Sequence, residues 1–394
     1  MLLALLCALA LAPLFAFAVP GRFRREVLLA ASLVGLAILD PRLPVLVLAV
    51  AGGVHAVVRG LGAGRGPKPG LVVVPGLALL VALFVFNKLG AGGLGAANEG
   101  LLPSQGGLVL LGVSYLVLKA AAALVDAWRG ALRDASFFDV LAWIAFLPVY
   151  TSGPIEELDH FRNQRPSPNL PDALAGLERI LFGLVKTMLL SHYLGLWSAP
   201  ILQEPAGESA WVLLLAVQAT TLRIYFDFAG YSDIAIGVSA LFGIRIQENF
   251  DNPLVRRNIT LLWQRWHMTL TRWLRVYLFV PISRRLLRRG GDRLETAAIG
   301  VAHAVTMTFC GLWHGLGWNF VLWGVLQAAG MLWVAAPART LGARLPAGLR
   351  GFWRDSRAGY GLSALVTFHY FAFTNILFFT GIEGATRFVA ALLA

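Results

Sequence analysis

The chain has 394 residues, 58% hydrophobic and only 14% charged, against roughly 25% charged in an ordinary soluble domain. That deficit excludes a water-soluble globule and makes the bilayer the solvent, with membrane lipid the first partner. The 33 Lys and Arg against 21 Asp and Glu give a formal charge of +12; in a membrane chain such an excess marks cytoplasmic loops, and no nucleic-acid partner is expected.

Apolar runs of spanning character fall at about 2–19, 26–39, 43–58, 71–86, 107–124, 137–150, 180–200, 210–226, 229–243, 296–313, 317–336 and 361–380. With some too short for a full crossing, the reading is an all-α integral membrane protein of roughly 10–13 transmembrane or re-entrant helices. Ala16-Phe17-Ala18 has the small-x-small form of a signal-peptidase site. Arg22, Arg24 and Arg25 follow that run and no positive charge precedes it, the pattern of a retained helix with its N-terminus outside. The cluster is then cytoplasmic, and 26–39 with 43–58 form a hairpin around Asp40-Pro41-Arg42 that returns Arg59, Arg65 and Lys68 to the same side. The same count places Arg284, Arg285, Arg288, Arg289 and Arg293 inside, and, after a hairpin over 296–336, Arg339, Arg344, Arg350, Arg354 and Arg357. Gly90 to Gly95 spell a formal GxGxxG. No helix pattern follows and no acid sits about 20 positions on, so it reads as a linker and not a dinucleotide site. Cys7 and Cys310 lie in apolar runs, and CxxC and HExxH are absent, so neither a disulfide framework nor a metal is expected.

Ionisable side chains inside apolar runs are costly and are therefore the functional candidates. Pro148 and Pro154 flank a small-residue turn that must interrupt a helix. In the stretch 224–237, Asp227 and Asp233 stand among aromatic and aliphatic residues, Gly230 divides one run from the next, and Arg223, Arg245 or the arginines of the following stretch are available partners. From 262 to 278, Arg265, Arg272 and Arg275 share one helical face with Thr269 nearby, and Leu262, Trp266, Leu270, Trp273 and Tyr277 share the other, an amphipathic interfacial helix containing His267. In Phe309-Cys310-Gly311-Leu312-Trp313-His314-Gly315-Leu316-Gly317-Trp318-Asn319-Phe320, glycines open room around His314 and Trp313 and Trp318 wall it from lipid. A neutral imidazole there is suited to take a proton from a hydroxyl, and Asn319 is a candidate oxyanion donor.

Tyr225-Phe226-Asp227-Phe228-Ala229-Gly230-Tyr231-Ser232-Asp233, Glu248-Asn249-Phe250, Trp263-Gln264-Arg265-Trp266-His267 and Gly311-Leu312-Trp313-His314-Gly315, in that order, resemble the signature of the membrane-bound O-acyltransferase family over about residues 108–327. Within it the chain is similar to the bacterial branch of alginate O-acetylation and teichoic-acid D-alanylation proteins. The resemblance implies helices around a central funnel or tunnel and acyl transfer to a hydroxyl. It matches His314 to the catalytic histidine and His267 to a second histidine of the branch. Tyr231, Ser232, Asp227, Asp233, Asn249, Arg265 and Trp266 become supporting residues. It implies N-terminal helices over 1–106, a catalytic core over 107–336, and a basic loop with a last helix over 337–394. No cofactor is bound; an acyl thioester of coenzyme A or of a phosphopantetheine carrier is the co-substrate, docking on the cytoplasmic face beside the arginine blocks, with a secreted or periplasmic acyltransferase as a further partner. The expected location is the bacterial inner membrane. Acetyl is the expected group, D-alanyl the alternative, and a polar-substrate transporter or flippase the reading from another class, motivated by Asp227 and Asp233. A simple hairpin puts His314 near the outer membrane face, so a broken helix is expected to bring it within reach of a cytoplasmic donor.

Overall fold

The computed structural model describes residues 2–62, 70–90, 110–132, 134–290, 295–335 and 344–394. Among them the structure is helical, with no strand, as the composition requires of a chain that must satisfy its backbone without water. Arg65, Lys68, Arg293, Arg339 and all of the Gly-rich motif after Gly90 lie outside the described residues. The described residues fall into two compact units, one from 2–90, 110–186 and 229–248, the other from 187–228 and 249–394.

The first unit contains α1 (Leu2–Ala18), α2 (Arg24–Leu39), α3 (Arg42–Gly62), α4 (Gly70–Gly90), α5 (Val113–Trp128), α6 (Phe137–Ala145), α7 (Leu158–Arg162) and α8 (Leu170–Leu184). Asp40 caps α3 by accepting the Arg42 backbone N–H at 2.8 Å. Ser136 and Asp139 form a reciprocal capping box at the start of α6. As Pro148 predicts, α6 stops short of it, and a turn at Leu147–Val149 takes the chain onward.

The segments expected at 210–226 and 229–243 are one helix, α10 (Ala210–Leu241), whose last part belongs to the first unit. Gly230 does not divide it. Glycine at 230 and 237 serves packing instead: a Cβ on Gly183 would lie 2.7 Å from the Gly230 carbonyl oxygen, and one on Gly237 would lie 2.5 Å from that of Gly176. Two seven-residue glycine spacings thus let α8 and α10 meet backbone to backbone. That contact carries a charge cluster around the buried Asp233. Asp233 accepts from Arg179 Nε at 2.9 Å and from Lys186 Nζ at 2.5 Å, and Arg179 also holds Glu248 through both terminal nitrogens. The partners of Asp233 are therefore cations of residues 179–186. Arg245 instead pairs with Asp172, and Arg265 with Asp251.

The second unit contains α9 (His192–Gln203), the first part of α10, α11 (Ile259–Trp263), α12 (Met268–Leu274), α13 (Val280–Gly290), α14 (Glu295–His314), α15 (Trp318–Ala335), α16 (Ala347–Asp355) and α17 (Arg357–Leu393). The expected hairpin over 296–336 is α14 and α15, and its helices touch at glycines. A Cβ on Gly311 would sit 2.1 Å from the Phe320 carbonyl oxygen, and one on Gly324 2.3 Å from that of Met307. α14 is continuous to His314, so no break inside it carries the histidine inward. α17 bends at Gly381, where φ is 69°, and beyond the bend Ala385 and Phe388 pack with Leu202 and Leu213.

The continuous amphipathic helix expected over 262–278 is broken. α11 ends at Trp263, and His267 takes a left-handed conformation with φ 43° before α12 begins. Leu262, Trp266, Leu270 and Trp273 are buried and Arg265, Arg272 and Arg275 exposed, as that pattern predicts; Thr269 is buried, not on the arginine face.

Among the described residues, α3, α4, α10, α14, α15 and α17 are long and apolar enough to cross a membrane, and the chain is a multi-pass membrane protein. Large apolar side chains remain exposed on them, such as Leu79 of α4 and Val366 of α17. In water that surface would be an aggregation liability; in a bilayer it is the solvated surface.

Candidate active site

In the second unit, His267 and His314 line one cavity of about 70 Å³, together with Phe228, Trp263, Trp266, Trp323, Asn375, Phe378 and other apolar residues. His314 closes α14, and three aromatic rings stand around it: its neighbour Trp313 at 4.7 Å, Phe378 of α17 at 4.9 Å and Trp323 of α15 at 5.7 Å between centroids, all edge-on. The hairpin glycines explain how these rings reach it. With no Cβ at 311 or 324, α15 lies against α14, and Trp323, beside Gly324, comes level with the imidazole.

The second histidine is held by a buried asparagine. Asn249 is fully buried, and its Oδ1 lies 3.0 Å from His267 Nδ1, 2.9 Å from Thr269 Oγ1 and 3.4 Å from the Thr269 backbone nitrogen. A backbone N–H only donates, so the atom it faces is the amide oxygen, and the histidine nitrogen facing the same oxygen carries a proton. His267 is thereby the Nδ1–H tautomer, with Nε2 as its acceptor. Burial, and then the nearby His314, holds its pKa well below the usual 6.5, which keeps the ring neutral. A left-handed β-carbon residue stores strain of about 1–3 kcal/mol; here Met268 N–H to the Asn249 carbonyl at 2.8 Å and Asp251 N–H to the Arg265 carbonyl at 3.0 Å hold it in place. Asn249→Ala removes the shared acceptor from a buried N–H and a buried hydroxyl. It is expected to cost about 1–3 kcal/mol, read as a lower thermal midpoint of the detergent-solubilised chain, with a fall in transfer rate.

Of the other residues singled out in the sequence, Trp266 lines the cavity and Trp313 stands between the histidines, 6.2 Å from the His267 ring. Trp318 is 78% exposed and does not line the cavity. The amide of Asn319 donates to the Leu377 carbonyl at 3.2 Å, and the residue does not line the cavity. Asp227 lies half-buried one turn beyond Arg223 on α10, outside the lining. Arg265 is an exposed partner of Asp251. Tyr231, Ser232 and Asp233 belong to the first unit, where Tyr231 hydroxyl meets Thr151 Oγ1 at 2.5 Å and Ser232 is buried. Sequence reasoning missed Trp323, Asn375 and Phe378. A signal existed for Asn375, a polar amide inside the apolar run 361–380.

A cavity lined by aromatic rings and two histidines suits proton transfer to or from a hydroxyl. No group of three or more His, Cys, Asp or Glu among the described residues is arranged to hold a metal ion. A sequence model of the membrane-bound O-acyltransferase family matches residues 84–348. The chain is similar to a probable alginate O-acetylase of Azotobacter vinelandii, 33% identical over 228 residues that cover 55% of this chain and 42% of the relative. It is similar to a teichoic acid D-alanyltransferase of Streptococcus thermophilus, 30% identical over 238 residues, 58% of this chain and 57% of the relative. A peptidoglycan O-acetyltransferase of Helicobacter pylori is 30% identical over 199 residues, 48% and 36% of the two chains. The chain spans about half the length of these relatives, or less.

Proposed function

This chain belongs to the membrane-bound O-acyltransferase family; from that premise we propose that it is an acyltransferase that moves an acetyl group from a cytoplasmic thioester to hydroxyls of an exported polysaccharide or cell-envelope polymer. The observation that carries the choice of group is the lining of the histidine cavity. Its size suits an acyl group of two or three carbons, and no carboxylate is among the residues that line it. A D-alanyl group would bring an ammonium into this aromatic enclosure with no counter-ion, whereas an acetyl group needs none.

In the reaction, His314 accepts the acceptor's hydroxyl proton as the oxygen attacks the thioester carbonyl. The carbon–sulfur bond then breaks, and the imidazolium returns the proton to the departing thiolate. His267, neutral and fixed in its ring orientation by Asn249, positions the hydroxyl through Nε2. Catalysis takes place in the core, residues 107–336, set in the bacterial inner membrane with the N-terminus outside. Arg284, Arg285 and Arg288 on α13 and Arg350 and Arg354 on α16 attract the anionic coenzyme A or phosphopantetheine carrier from the cytoplasm, and a secreted or periplasmic acyltransferase receives the group where the polymer lies beyond reach. The transporter reading loses support, because Asp233 is satisfied by Arg179 and Lys186.

The test is the ester content of exported polymers, measured by mass spectrometry in bacteria expressing the chain and in the parent strain. Bound acetate is expected to rise and ester-linked alanine to stay constant. A rise in alanine alone assigns the other acyl group, and unchanged esters overturn the acyl-transfer reading.

A further inference from the structure

Resting on that acyl-transfer reading, we propose that Asn375 of α17 is a catalytic residue, donating from Nδ2 to the carbonyl oxygen of the thioester as it becomes a tetrahedral oxyanion. Family resemblance drew attention to the histidines, and the nearer asparagine, Asn319, is engaged with the Leu377 carbonyl. Asn375 is 6% exposed and borders the same cavity as His267 and His314.

Its orientation follows from its partner. Trp323 Nε1 lies 2.8 Å from one end of the amide, and an indole nitrogen only donates, so that end is Oδ1. The other end, with two N–H bonds, has no acceptor among the described residues. An amide donor kept without a protein acceptor among aromatic rings is the kind of buried polar group that calls for a ligand. The same contacts place it near the base. The anchoring indole is the ring that stands 5.7 Å from His314, and Phe378, one turn along α17 from Asn375, stands 4.9 Å from it. The indole also fixes the amide before substrate arrives, and preorganised donors are the ones that stabilise a developing charge without paying for reorganisation.

The bond changes balance around this donor. The hydroxyl oxygen forms a bond to the carbonyl carbon and gives its proton to His314. The carbonyl π electrons move to the oxygen facing Asn375 Nδ2, then return as the carbon–sulfur bond breaks, and the thiolate leaves with the proton from His314. Asn375 gains and loses no proton.

The experiment measures transfer of radiolabelled acetyl from acetyl-coenzyme A into polymer by membranes carrying the full chain, with kcat and KM for the thioester. Asn375→Asp keeps an acceptor for the Trp323 indole and removes the donor; Asn375→Ala removes both. Binding of a non-cleavable thioether analogue of acetyl-coenzyme A reports whether each variant keeps its fold, and Asn375→Ser replaces the Asp variant if that one fails to bind. Both principal variants are expected to lose about 100- to 1,000-fold in kcat with KM and analogue binding little changed. An Asp variant within threefold of the parent, with the Ala variant impaired, assigns Asn375 to holding Trp323 and overturns the catalytic role. Parent membranes that transfer no acetyl overturn the functional reading itself and this proposal with it.

Discussion

His314→Ala is expected to lower acetyl transfer by about 10²- to 10⁴-fold, the contribution of a positioned general base, while the chain still inserts and folds. The expectation has two physical parts. The chemical part is that a hydroxyl has to lose its proton as it attacks, and among the ionisable side chains lining the cavity only the two histidines are suited to take it. His267 gives its Nδ1–H to Asn249 and is held in a strained backbone by the segment around it, which suits a fixed positioning group. His314 sits at a helix end, with the rings of Trp313 and Phe378 edge-on beside it.

The structural part is that His314 is only partly buried, so truncation leaves the glycine contacts of α14 with α15 untouched. Measured on membranes with radiolabelled acetyl-coenzyme A, the variant should show lost transfer and a thermal midpoint close to that of the parent. A variant that retains transfer removes His314 from the mechanism. One that loses transfer only by melting assigns it to the fold.

Much of the architecture was legible because bilayer physics writes it in large letters. The hairpin of α14 and α15 follows from two apolar runs separated by Gly315 and Gly317, and α17 up to its bend is the run read at 361–380. What failed were places where a residue's local habit is overruled by a distant partner. Gly230 looks like a divider because glycine weakens a helix in isolation, but in the folded chain its missing Cβ lets α8 approach, and the helix runs on. The 3.6-residue pattern around Trp266 and Leu270 is real, yet the helix breaks at His267, since Asn249, far back in the sequence, captures the imidazole and the Met268 N–H.

The same contrast holds at the site. Both histidines stood out as polar residues in apolar surroundings, and the structure puts both on one cavity. Trp318 was chosen by proximity to His314, whereas helical geometry turns it outward and brings Trp323 round instead. Asn375 and Phe378 come from a helix some sixty residues further on, and only three-dimensional packing joins them to the histidines.

That dependence on packing gives the second large expectation, which separates glycine for close approach from glycine as filler. Gly311→Ala and Gly361→Ala are chemically the same substitution inside helices. At Gly361 a Cβ meets nothing within 4 Å, so alanine is expected to be neutral or to stabilise by up to about 1 kcal/mol, the difference in helix propensity. At Gly311 the Cβ would lie 2.1 Å from the Phe320 carbonyl oxygen, and the obstacle is backbone, which cannot rotate away as a side-chain tip can. α15 has to move outward, at a cost of about 1–3 kcal/mol or more for an overpacked core. The displacement falls where it matters, because Trp323 rides on α15 and both orders the rings at His314 and anchors Asn375. A shift of about 1 Å is enough to cost on the order of 100-fold in rate when reacting groups are misaligned. Gly311→Ala should therefore lower the thermal midpoint and the acetyl-transfer rate together, while Gly361→Ala lowers neither. Equal behaviour of the two variants would mean that the contact between α14 and α15 does not set the geometry of the histidine cavity.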